Sequence, residues 1–129
     1  MSDKKKYEIE FPLRTSSKVL YTMLSTPSGL SEWFCDNVNL KEDVFTFIWD
    51  RSEEQAKLLT KKNGESIKFR WMEDEDDGDS AYFELRIQID SITKDVALIV
   101  TDFAEEDEVE ESRMFWTGQL TELKQVLGA

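Results

Sequence analysis

The sequence contains no histidine. Ser-His-Asp and Cys-His nucleophile systems and every His-ligated metal site are therefore excluded, and with them a large share of common enzyme chemistry. The one cysteine, Cys35, allows neither an internal disulfide nor a four-thiolate zinc or iron–sulfur site, and a reducing, cytoplasmic setting fits it best. Basic residues are outnumbered 16 to 28, and the net charge of −12 repels phosphate backbones, so no nucleic-acid partner is expected. Long apolar runs are missing as well. The start, MSDKKKYEIEF, passes directly into alternating residues, which reads as no signal peptide and no membrane span. Ser2 stands where myristoylation needs glycine, and the final LGA has no prenylation cysteine.

What the chain does have is 129 residues, 40% hydrophobic and 12% aromatic, enough for the core of one domain spanning 1–129. Residues 6–13 alternate, with Tyr7, Ile9, Phe11 and Leu13 on one side and Pro12 on the other, as in an amphipathic strand in which the proline marks a sheet edge or a strand end. Thr15 and Ser16 offer N-caps to a short helix carrying Val19, Leu20, Met23 and Leu24. Thr26-Pro27 then opens a second short helix with Leu30, Trp33 and Phe34 on one face. Period-two texture follows for about half the chain, at 44–49, 55–60, 66–72, 81–89 and 96–103, with a weaker strand at 38–41. Short turn-like links between them, Asn63-Gly64 the clearest, imply an antiparallel meander and suggest a type I′ hairpin at that dipeptide. From Val109 the texture is helical again, with Trp116, Leu120, Leu123 and Leu127 in one stripe, acids at its start and Lys124 and Gly128 at its end. Gly118 interrupts this helix and suggests a bend or a close contact.

The order of these pieces, together with LRTSSKVLYTMLSTPSGLSEWF, IKFRWM and the ending Trp116, Leu120, Leu123, resembles the helix-grip fold of the START-like (SRPBCC) superfamily. It is most similar to the branch of activators of heat-shock protein 90 ATPase. The positions that carry the likeness are Val19, Leu20, Leu24, Pro27, Leu30 and Trp33, then Phe69 and Trp71. The resemblance implies an α+β fold in which a curved antiparallel sheet grips a long C-terminal helix, often with an apolar cavity between them. It implies no reaction.

Several residue groups invite a chemical reading. The run from Glu73 to Asp79, continued to Glu84, places acids and a glycine at EF-hand-like spacing, but its flanks alternate like strands, so a solvated hairpin tip without metal is expected. The acids from Glu105 to Glu111 suit a helix start, with docking of a basic partner protein as the alternative. Cys35 has no neighbouring base and reads as a structural thiol. Lys68 and Arg70 alternate away from Ile67, Phe69 and Trp71 and should face solvent. No catalytic residue, metal ligand or cofactor can be assigned.

If sheet and last helix are the walls of a ligand cavity, the candidates to line it are Phe69, Trp71, Phe83, Leu85, Phe103, Trp116 and Leu120. The expected function is non-enzymatic binding of a small hydrophobic or amphipathic ligand such as a lipid, sterol or aromatic compound. The alternatives are a protein-interaction module like the chaperone activator and a cyclase- or hydratase-like enzyme using tyrosine or carboxylate groups.

Overall fold

The computed structural model describes residues 4–128. The elements run β1 (Lys5–Leu13), α1 (Ser17–Ser25), α2 (Pro27–Trp33), β2 (Asn37–Lys41), β3 (Val44–Trp49), β4 (Ser52–Lys62), β5 (Ser66–Trp71), α3 (Met72–Asp76), β6 (Phe83–Ile89), β7 (Val96–Ala104) and α4 (Val109–Leu127). The strands form one antiparallel sheet in the order β1-β7-β6-β5-β4-β3-β2. Sequential strands pair as hairpins from β2 to β7. The first strand closes against the last and leaves Pro12 on an edge, where its missing N–H costs no ladder bond.

Both short helices begin as their sequences dictate. The Ser16 hydroxyl accepts from the Val19 N–H at 3.1 Å, and the Thr26 hydroxyl accepts from the Gly29 N–H at 2.9 Å, with Pro27 in the first helical turn. Gly29 is where these helices touch: a Cβ there would lie 2.3 Å from the Thr22 carbonyl oxygen. Only glycine permits that approach. The β4–β5 turn is a hairpin as expected, but of another type. Gly64 has φ of +78° while Asn63 is not in the positive region, and the Lys62 carbonyl accepts from the Glu65 N–H at 2.9 Å. Positive φ at the third turn residue alone is the type II pattern rather than type I′.

The register slips between Leu58 and Thr60, a bulge that bends β4 and adds to the curvature of the sheet. Into the concave side go Phe45 and Phe47, Ile67 and Phe69, Phe83 and Leu85, and Leu98 and Val100, all buried. Trp116, Leu120 and Leu123 of α4 close over them, and Leu20, Leu24, Leu30, Trp33 and Phe34 complete the core. The α4 helix ends on Gly128 at φ +68°, whose N–H returns to the Gln125 and Lys124 carbonyls.

Gly118 neither interrupts α4 nor holds anything close. It is exposed in the middle of a continuous helix, with no atom within 4 Å of where a Cβ would stand. Gly118→Ala is therefore expected to stabilise the protein by about 0.5–1 kcal/mol, read as a higher urea midpoint at unchanged slope. A lower midpoint would show that the exposed face of α4 is covered.

Candidate functional site

Much of the interior between sheet and helix is closed to solvent. Phe69, Phe83, Leu85 and Leu120 are each at most 1% exposed, and the Phe83 ring stacks on Phe69 at 5.0 Å between centroids. Of the seven cavity candidates, Trp71 and the buried Trp116 border the cleft at the end of the grip. Phe103 lies on the other side of the sheet: its neighbours Asp102 and Ala104 belong to the concave alternation, and its own ring meets Tyr82, over which the Lys68 ammonium sits 4.5 Å from the ring centre. Strand β7 is apolar on both alternations, with Ala97 and Ile99 buried as well as Leu98 and Val100, so its sequence pattern does not say which set faces inward.

Open space exists at one end of the grip, as a cleft of about 1530 Å³. One wall is aromatic. Trp49 from β3, Trp71 from β5 and Phe115 and Trp116 from α4 line it, backed by Phe34 and Phe83. Two of these indoles are fixed by their ring N–H: Trp49 donates to the Phe34 carbonyl at 3.0 Å, and Trp116 donates to Asp102 Oδ2 at 2.7 Å. The Gln119 amide also donates to the Phe34 carbonyl, tying α4 to the end of α2.

The other walls are acidic. Glu53 and Glu54 of β4, Glu73, Asp74, Asp77 and Asp79 of the segment after β5, and Asp102 and Glu105 at the end of β7 all line the cleft. Among the described lining residues Lys4 is the cation, and it is held by Asp74 at 2.7 Å and Asp79 at 3.4 Å. Burial pulls the Lys4 pKa down, but the hydrogen bond and charge of Asp74 and then Asp79 outweigh it and raise it above 10.5. Asp102 lies deepest. Loss of water pushes its carboxyl up to about 6, against the opposing pull of the Trp116 and Phe103 N–H donors. Tyr7, opposite Asp102 in the β1–β7 ladder, is raised to about 12, chiefly by burial, and its hydroxyl contacts Ser112.

The 73–79 run is not a freely solvated hairpin tip. Its first residues form α3, and the segment is lashed down on three sides: Lys4 on Asp74 and Asp79, Lys57 on Glu75 at 3.5 Å, and Arg70 on Glu75 at 3.2 Å. The Arg70 guanidinium also donates to the Ala81 and Ser80 carbonyls, so this outward-alternating residue serves as a clamp. The hydrogen bond from Arg70, then the charge of Lys57, holds the Glu75 carboxyl below its ordinary range. Among the described residues no cluster has metal-ligating geometry. The two acidic runs, separated in sequence, meet here, since Glu105 shares the cleft with the α3 segment. Cys35 is outside it. Its thiol is buried, raised to about 11 by loss of water, and donates to the Asn37 carbonyl at 3.2 Å, which makes it inert at neutral pH.

A family model for the START-like superfamily domain matches residues 1–129. The chain belongs to the START-like superfamily. The START-like sheet and helix are shared by solved structures. A Bacteroides fragilis protein, BfR322, is 33% identical over 95% of this chain and 90% of its own, with a TM-score of 0.67. The Aha1 dimer of Colwellia psychrerythraea is 12% identical over 95% and 96%, with a TM-score of 0.79. MLL2253 of Mesorhizobium loti is 13% identical over 96% and 97%, with a TM-score of 0.77. No curated protein matches the sequence. The likeness to Aha1 and MLL2253 establishes fold alone, so what this START-like chain does must be argued from its cleft. No helix among the described residues is long and apolar enough to cross a membrane.

Proposed function

We propose that this START-like chain is a non-enzymatic binding module whose ligand is a small amphipathic molecule seated in the cleft between sheet, α3 segment and α4. The observation that carries this reading is the aromatic wall of Trp49, Trp71 and Phe115, with the buried Trp116 behind it, bordering a space of about 1530 Å³. Apolar rings left facing a concave opening, beside a few fixed polar groups, are what a binding pocket requires. Asp102 supplies a fixed polar group at this place: Oδ1 accepts from the Phe103 N–H and Oδ2 from Trp116 Nε1, which orients the carboxyl and leaves each oxygen a second acceptor site.

A thermal-shift screen with sterols, flat aromatic compounds and alkyl amphiphiles of each charge tests the proposal. A bound compound at ten times its Kd should stabilise the protein by about 1.4 kcal/mol. Trp71→Ala, at a half-buried position, should abolish the shift while leaving a cooperative transition. A screen in which nothing moves the transition, or in which Trp71→Ala shifts as far as the parent, would overturn the reading.

A further inference from the structure

Resting on that binding reading, we propose that the cleft selects organic cations: its ligand carries a primary or secondary ammonium on an apolar body, and carboxylate lipids are rejected. The opening is a mixed surface. Aromatic faces can cover an alkyl or aryl body and also attract a cation through the negative face of the ring. The remaining walls carry carboxylates from three separate parts of the chain, Glu53 and Glu54, Asp74 and Asp79, and Asp102. An anionic headgroup placed among them meets like charge in a partly desolvated space, where such interactions are weakly screened.

The protein already shows the preferred chemistry at this place. The side chain of Lys4, a primary ammonium on a four-carbon apolar stem, lies in the cleft with its Nζ 2.7 Å from Asp74 and 3.4 Å from Asp79. A free alkylammonium has the same headgroup. The cleft has further carboxylates to offer it: Glu54 on the sheet wall, and Asp102 beside the Trp116 indole. Net charge of −12 adds a long-range pull on any cation approaching the opening.

The experiment uses three probes with one tail: octylamine, octan-1-ol and octanoate. Each is titrated into the full chain at pH 7.5 and followed by tryptophan fluorescence and calorimetry. Octylamine, charged at this pH, is expected to bind about tenfold more tightly than octan-1-ol, and octanoate more weakly than either. Glu54→Gln, at an exposed position that does not threaten the fold, and Asp102→Asn should each bring the octylamine affinity toward that of the alcohol without changing the alcohol's own. Glu122→Gln, on the solvent side of α4 and outside the cleft, should change neither. Equal affinity for the three probes, or loss of octylamine binding in Glu122→Gln as large as in Glu54→Gln, would overturn cation selectivity and leave the binding reading in place. If none of the three binds, cation selectivity falls, and the thermal-shift screen with sterols and flat aromatic compounds decides the binding reading.

Discussion

Leu120→Ala is expected to destabilise the protein by about 2–5 kcal/mol, a large part of the roughly 5–15 kcal/mol that holds a domain of this kind together. Leu120 is 0% exposed, one of three α4 residues inserted among the side chains of the concave sheet face, with Trp116 and Leu123. Removing it leaves a cavity in the buried core, around which the neighbouring side chains relax only in part. Met114, six residues earlier on the same helix, is 73% exposed, and Met114→Ala should change the stability by no more than about 0.5 kcal/mol. Removing residues 109–129 entirely uncovers the face occupied by Phe45, Phe47, Phe69 and Phe83 and should leave an aggregating or molten chain. A truncated chain that stayed monomeric with a sharp transition, or Leu120→Ala with a midpoint equal to that of Met114→Ala, would show that α4 is an appendage and not part of the core.

This helix also marks what could be read from residues alone. Its stripe, caps and acidic start follow from a period of 3.6 and from dipole chemistry, both local, and the observed limits agree with them. Strand faces were equally legible wherever only one alternation was apolar, as in β1 and β5. They were not legible in β7, where both alternations are buried, and Phe103 was placed on the wrong face for that reason. The position of the cleft was hidden more deeply. Phe69, Trp71, Phe83 and Trp116 lie where sheet and helix meet, but whether such residues fill space or border it depends on volumes that no periodicity encodes. The acids were visible as charge runs, and a charge run between strands ordinarily serves only solubility. Their convergence depends on contacts across long stretches of sequence: Lys4 with Asp74, and Trp116 with Asp102. Trp49, Phe115 and Lys4 lacked any signal that would have joined them to the site before the topology brought them together.

The same convergence sets a pH dependence. The folded protein is expected to become more stable as pH falls from 7.5 to 5.0, with Asp102 as the main specific source. Its carboxyl has an ordinary value of 3.8 and is raised to about 6 by burial, so between those limits the folded state holds a proton that the unfolded state has released. Stability therefore falls as pH rises through this window: the contribution is fully present below 3.8 and is lost by the time pH has passed 6. At about 1.4 kcal/mol for each tenfold in proton affinity, the full swing is on the order of 3 kcal/mol, of which about 1.4 is recovered by pH 5. Glu75 and Asp90 oppose it only at lower pH, because hydrogen bonds from Arg70 and from the Thr93 and Ile92 N–H groups hold their carboxyls below the ordinary range. The general repulsion of a chain at −12 acts in the same direction as Asp102, so the two must be separated. Asp102→Asn does so. Asparagine has one acceptor oxygen for the two N–H donors of Trp116 and Phe103, which lowers stability at every pH, but it has no proton to gain. Urea midpoints of parent and variant at pH 7.5 and 5.0 should show a gain in the parent that exceeds the variant's by about 1.4 kcal/mol. Parallel gains would mean that Asp102 is not the group that titrates, and that the base of the cleft is wetter than its burial implies.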